Sequence, residues 1–300
     1  MVAQLIDGKA VAKDIRDNLK KQIAEFSDNH AIIPKFAVVL VGQNPASKVY
    51  VKNKRLAALE CGMLADVIEL PAGSNYEEIK VCIQKLNRDK STHGILVQLP
   101  LPNDIDKDLL VQEIDPIKDV DGLHPISLGK LLQGNDTFVP ATPGAIQQIL
   151  KYIDYDVSGK HVVICGRSDI VGKPVAALLV QKEKGANATV TLCHSQTKNL
   201  QQITYQADVL IVAIGRPEFI DENMVSEGTV VIDVGINRVS SNLPSKAYKL
   251  VGDVQFENVS KIASAITPVP GGVGPVTVSM LLLNTYKAAK LQLNKPDYES

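Results

Sequence analysis

Gly166-Arg167-Ser168-Asp169-Ile170-Val171-Gly172-Lys173-Pro174 follows an apolar run, His161 to Cys165, and opens onto a helical pattern. A glycine turn between a buried strand and a helix is where a dinucleotide pyrophosphate rests. Ser168 stands where the usual G-x-G-x-x-G pattern has its middle glycine, so a purely structural turn is the plain alternative. Gly172 falls where close helix–sheet packing wants no side chain, and Pro174 is tolerated in a first helical turn. A second run, Pro268-Val269-Pro270-Gly271-Gly272-Val273-Gly274-Pro275, forms a stiff, side-chain-poor loop that lets backbone approach a flat ligand. A nucleotide turn together with a second ligand loop points to a cofactor-dependent enzyme.

Outward from that turn the chain alternates strands and helices. Val11, Ile15, Leu19 and Ile23 recur every fourth residue and predict an amphipathic first helix. The run Phe36 to Val41 reads as a buried strand ending at Gly42, followed by a helix over about Ser47 to Cys61. A strand near Val67 to Leu70, a helical stripe at Tyr76, Ile79, Ile83 and Leu86, and a strand from Gly94 to Leu99 complete one α/β unit. Alternation stops between Pro100 and Pro143, then resumes with a helix over about Gly144 to Ile153. Strands follow at His161–Cys165, Thr189–Leu192, Val209–Ala213 and Val230–Val234, and Leu250 to Asp253 adds a short one. The fold class is therefore α/β: two α/β domains with a cleft between them, the second a Rossmann-like nucleotide-binding domain. The expected division assigns 1–142, with a returning C-terminal helix and tail over 276–300, to the first domain and 143–275 to the second. That helix spans about Val276 to Leu291, and Asn294 to Ser300 reads as a loose tail.

The chain has 300 residues, 45% of them hydrophobic, enough for two cores. A formal net charge of -1 supplies no basic field for nucleic acid or a membrane surface. No apolar run approaches the ~20 residues of a spanning helix, and the first residues lack a secretory pattern. Cys61, Cys82, Cys165 and Cys193 include no Cys-x-x-Cys pair and read as buried thiols of a reducing, cytoplasmic compartment. No Cys, His and carboxylate cluster has metal spacing, so no metal is expected.

The nucleotide type follows from the second strand of the Rossmann-like unit. An NAD site usually ends that strand with an acid for the ribose hydroxyls. Here Thr189 to Cys193 runs into His194-Ser195-Gln196-Thr197 without one. Arg167 on the turn offers a planar fork for a phosphate and Ser195 a further donor, which favours NADP. A surface salt bridge is the alternative for Arg167, and His194 reads as a polar loop residue.

Tyr50 and Lys54 lie one turn apart on one helix face, a spacing that a solvated surface also produces. Gln98 interrupts an apolar strand near its carboxyl end, where open parallel sheets bind ligands. Asp121 is a loop acid able to accept two donors from a heteroaromatic amine edge, or else to cap a turn.

Four stretches now carry a resemblance: Ser47-Lys48-Val49-Tyr50-Val51-Lys52-Asn53-Lys54, His93 to Pro102, Lys118-Asp119-Val120-Asp121-Gly122, and Ile266 to Pro275. In order and over nearly the whole chain, they resemble bifunctional methylenetetrahydrofolate dehydrogenase/methenyltetrahydrofolate cyclohydrolase. No formyltetrahydrofolate synthetase domain is expected. The resemblance implies oxidation of 5,10-methylenetetrahydrofolate by NADP, then hydrolysis of the methenyl product to 10-formyltetrahydrofolate, for one-carbon metabolism and purine biosynthesis. It implies Lys54 as base, Gln98 orienting its amine, Tyr50 against the folate and Asp121 on the pterin amino edge. Leu99 and the loop residues Pro270, Gly271, Gly272 and Val273 line the substrate. Gly166, Arg167, Ser168, Gly172 and Ser195 hold the cofactor, with Thr142 and Ile236 as weaker nicotinamide contacts. His124, just after the Asp121 loop, is a minor substrate candidate. The partners implied are tetrahydrofolate derivatives and a second copy of the chain. An NAD-using enzyme, a dehydrogenase without cyclohydrolase activity and a nucleotide-binding regulatory module are the competing readings.

Overall fold

The structure is a computed structural model that describes residues 3–102, 105–240 and 248–293. From the start, the chain forms β1 (Gln4–Leu5), α1 (Gly8–His30), β2 (Lys35–Val41), α2 (Pro45–Glu60), β3 (Leu64–Leu70), α3 (Tyr76–Arg88) and β4 (Gly94–Val97). There follow α4 (Lys107–Gln112), α5 (Pro125–Leu132), α6 (Ala141–Tyr152), β5 (His161–Cys165), α7 (Gly172–Leu179) and β6 (Thr189–Cys193). Next come α8 (Leu200–Thr204), β7 (Val209–Val212), β8 (Val230–Asp233), β9 (Asn237–Ser240) and β10 (Tyr248–Val251). The described chain closes with α9 (Phe256–Val259), β11 (Ala265–Ile266) and α10 (Val273–Leu293). The expected tail, Asn294 to Ser300, lies outside the described residues.

These elements divide into two compact units. One holds Asp14–Ala141 and the chain from Val278, around a parallel sheet ordered β3-β2-β4. Central β2 is apolar on both faces because helices cover both, as parallel sheets require. Phe36, Val38 and Leu40 pack with Leu19, Ile23, Val51, Ala58 and the α10 residues Leu281, Leu282 and Ala288. Val39 and Val41, on the opposite face, pack with Ile79, Ile83, Ile95, Val97, Leu110 and Ile114. The returning C-terminal helix thus completes this core.

The other unit holds the chain up to Lys13 and Thr142–Thr277, around a six-stranded sheet ordered β1-β11-β8-β7-β5-β6. Every pairing in it is parallel. Strands β7 and β8 are buried throughout, and β5 is buried beyond its first residue. The N-terminal stretch belongs here, unlike the expected division at 142, because Gln4 and Leu5 pair with Ala265 and Ile266. Leu250 and Val251 form a strand, but in a separate antiparallel ribbon with β9 rather than in the main sheet.

The segment from Pro100 to Pro143 is less irregular than expected, since it contains α4 and α5. Asp106 caps α4, accepting from the Asp108 and Leu109 amides; the His124 ring caps α5, accepting from the Ile126 amide. Helix α6 begins at Ala141, so Thr142 sits in its first turn and not in a loop. Helix α10 begins at Val273, which shortens the expected glycine–proline loop at its far end.

Candidate functional site

Helix α2 positions the first cluster. Asn44 accepts from the Ala46 and Ser47 amides, and Pro45 occupies the first turn, where its missing N–H costs nothing. One turn apart on this helix, Tyr50 is 43% exposed and Lys54 is half-buried. Lys54 Nζ donates to Gln98 Oε1 at 3.0 Å, and Gln98 Nε2 donates to the Leu99 carbonyl at 2.8 Å. Gln98 lies one residue past the end of β4, and its amide N–H still bonds the Val39 carbonyl. Its side chain is therefore fixed at both ends. Burial pushes the Lys54 pKa below the ordinary lysine value, while the Asp121 carboxylate pulls it the other way. All five expected residues here, Tyr50, Lys54, Gln98, Leu99 and Asp121, lie in the three-stranded unit.

The Asp121 loop is anchored on both sides. Buried Lys118 donates to the carbonyls of Leu86, Asn87 and Asp89 at 2.8–3.0 Å, capping the end of α3. Buried Asp119 accepts from the Leu123 and His124 amides and the Ser127 hydroxyl at the start of α5. Burial raises its carboxyl pKa, and these bonds oppose the rise. Next along the chain, Val120 is buried, and its carbonyl accepts from Asn284 of α10 at 2.9 Å. His124 is buried, and its Nδ1 accepts from the Ile126 amide as the cap of α5.

The second cluster lies in the six-stranded unit. Gly166 has φ +124°, and a Cβ there would stand 2.2 Å from the Ala213 carbonyl oxygen. A Cβ on Gly172 would stand 2.0 Å from the Gly166 carbonyl oxygen. Both glycines are thus obligatory for the turn. Ser168 Oγ accepts from the Val171 amide, and Arg167 and Ser168 are exposed. After β6 the His194 ring accepts from the Gln196 amide and its own amide donates to Thr197 Oγ1, leaving Ser195 exposed on that bend. A glycine-cleared turn before a helix, an exposed arginine and no acid at the end of β6 fit a phosphorylated dinucleotide. Ile236 is exposed three residues past the end of β8, whereas Thr142 is half-buried within α6. Pro270, Gly271 and Gly272 form the loop before α10, and Val273 is its first residue, itself buried. The structure therefore groups Pro270 to Val273 with the nucleotide residues.

Sequence reasoning missed several residues that hold this geometry. Ser47 is buried and donates to the Leu99 carbonyl at 3.4 Å. Gly8, at the start of α1, has no room for a Cβ, which would stand 1.7 Å from the Gly272 carbonyl oxygen. A glycine opening a helix was the available signal. Lys118, Asp119 and Asn284 were invisible as anchors because their partners are backbone groups far away in sequence. Among the described residues no group of His, Cys, Asp and Glu could hold a metal ion, and all four cysteines are free.

Residues 6–121 match the profile of the tetrahydrofolate dehydrogenase/cyclohydrolase catalytic domain, and residues 140–293 that of its NAD(P)-binding domain. The bifunctional protein FolD of Halalkalibacterium halodurans is 52% identical, over 97% of this chain and 100% of its own. The crystal structure of the bifunctional FolD dehydrogenase/cyclohydrolase of Campylobacter jejuni is 48% identical with a TM-score of 0.90, covering 96% of this chain and 99% of its own. The Trypanosoma brucei dehydrogenase–cyclohydrolase, complexed with NADP cofactor and inhibitor, is 39% identical with a TM-score of 0.92, covering 98% and 100%.

Proposed function

The chain belongs to the tetrahydrofolate dehydrogenase/cyclohydrolase family, and from that premise we propose how its residues divide two reactions. It oxidises 5,10-methylenetetrahydrofolate to the methenyl cation with NADP and hydrolyses that cation to 10-formyltetrahydrofolate. NADP, when bound, supplies the acceptor for the hydride. Gly166, Arg167, Ser168, Gly172 and Ser195 would hold it, with Arg167 and Ser195 on the 2′-phosphate, and Thr142 and Ile236 toward the nicotinamide. Hydride transfer itself asks little of acid–base groups and much of positioning. Asp121 holds the pterin amino edge, Tyr50 packs against the folate, and Leu99 with Pro270 to Val273 lines the substrate.

Hydrolysis needs a base. Water adds to the methenyl carbon, Lys54 takes a proton from the added water, and one carbon–nitrogen bond opens as its nitrogen is protonated. Only a neutral amine can accept that proton, and burial makes the neutral amine accessible nearer to physiological pH. Gln98 Oε1 keeps the amine in one place. The observation that carries this reading is the 3.0 Å Lys54–Gln98 bond in a desolvated setting charged by Asp121. We infer a homodimer from the family resemblance, and a cytoplasmic setting from the free thiols, three of them buried, that fit a reducing compartment.

Lys54→Met keeps the apolar stem and removes the base. Cyclohydrolase activity should fall by about 10²–10⁴ while NADP-dependent dehydrogenation persists, so methenyltetrahydrofolate accumulates and is read by its absorbance. Wild-type hydrolysis by this variant would move the base elsewhere.

A further inference from the structure

At the carboxyl ends of β7 and β8 two carboxylates are buried and held by backbone amides and one asparagine amide. Asp233, at the end of β8, is 3% exposed, and Asp253 is 0% exposed. Asp233 Oδ1 accepts from the Gly235 and Asp253 amides, and Oδ2 from the Val254 amide, each at 3.0 Å. Asp253 Oδ2 accepts from the Ile214 and Gly215 amides at 2.7 and 2.9 Å, and Oδ1 from Asn237 Nδ2 at 2.8 Å. The two acids are tied to each other through the Asp253 amide, and each is admitted by a glycine opposite. A Cβ on Gly252 would stand 1.8 Å from Asp233 Oδ2, and one on Gly235 would stand 2.2 Å from Asp253 Cγ.

Placing two like charges side by side away from water is unfavourable, and neutral acceptors could satisfy the same amides. Desolvation and the Asp253 charge raise the Asp233 pKa, which marks the strain of the arrangement. What the pair secures is backbone at the strand ends where open parallel sheets bind ligands. Asp253 fixes Ile214 and Gly215, directly after Ala213, on whose carbonyl the Gly166 turn rests. Asp233 fixes Gly235, the residue before exposed Ile236.

We propose that Asp253 and Asp233 are positioning residues for the dinucleotide, an acid brace that sets the loops after β7 and β8. The proposal rests on the NADP reading of this unit. Neither acid touches the cofactor; both act through the backbone they hold, as a supporting shell does.

The test is calorimetric titration of NADP into wild type, Asp253→Asn and Asn237→Ala, with cyclohydrolase activity on supplied methenyltetrahydrofolate measured beside it. Asp253→Asn replaces an acceptor facing Asn237 with a donor and should raise the NADP dissociation constant tenfold or more. Asn237→Ala leaves both acids in place, removes one orienting donor, and should raise it about three- to tenfold. Cyclohydrolase activity should stay within twofold in both variants. If Asp253→Asn does not fold, Asn237→Ala decides alone. Unchanged NADP affinity, or equal losses of NADP binding and cyclohydrolase, overturns the brace. Failure of the wild type to bind NADP overturns the nucleotide reading itself.

Discussion

A lysine serves as a base only where water is kept from its ammonium, and Lys54 is placed for that by burial and by a fixed acceptor on Gln98. The pairing of Tyr50 with Lys54 was legible from spacing alone, since residues four apart share a helix face. The loss of solvent at Lys54 was not, because it depends on elements far along the chain. Arg167 is the reverse case, a surface residue whose meaning comes from the turn that carries it. Arg167→Ala should weaken NADP by about ten- to hundredfold, the loss of roughly 1.5–3 kcal/mol from a charge-assisted phosphate contact. NAD should be little affected in parallel titrations. Equal losses for both would assign Arg167 to the pyrophosphate or to the turn itself.

The segment joining β4 to α5 shows why short elements escape a sequence reading. Helix α4 has 6 residues and α5 has 8, too few for an apolar stripe to declare its period. Their capping residues, Asp106 and His124, are readable only once the helices are known. The longer pattern in α3 was readable, because Ile79 and Ile83 lie one turn apart on its buried face. Lys118 joins the two regimes by closing α3 with three bonds from a loop thirty residues further on. Lys118→Met should lower stability by roughly 2–4 kcal/mol, since three part-buried carbonyls lose a charged donor. It should also depress both activities, because the Asp121 loop loses one anchor. A urea midpoint equal to wild type would reduce Lys118 to a surface-like role.

Over the whole chain, the α/β alternation and the presence of two units were visible in the apolar runs, whereas the path of the chain through them was not. Nothing in Gln4 or Leu5 announces a partner at Ala265 and Ile266, since two-residue strands carry no periodicity. A global property also follows from the buried acids. Asp233 is pushed up to about 7 from an ordinary value near 4, first by burial. Its folded form therefore holds a proton that the unfolded chain would already have released. The stabilisation from that proton is complete below about pH 4 and lost as pH rises through about 7. Asp233→Asn should thus lower the Tm at pH 5, with a deficit that shrinks by pH 8. A deficit constant across that range would show that Asp233 stays ionised in the native protein.

The pairing of β1 with β11 has a consequence for how the protein is made. On a chain leaving the ribosome, Gln4 and Leu5 emerge some 260 residues ahead of their partner strand. Leu19, Ile23 and Phe36 likewise wait for Leu281, Leu282 and Ala288 of α10 to close their core. Contacts of such sequence separation form slowly, because a long loop must be closed before they contribute. The three-stranded unit therefore carries unfinished apolar surface until α10 is synthesised, and Leu19, Ile23 and Phe36 mark where a holding chaperone would find its target.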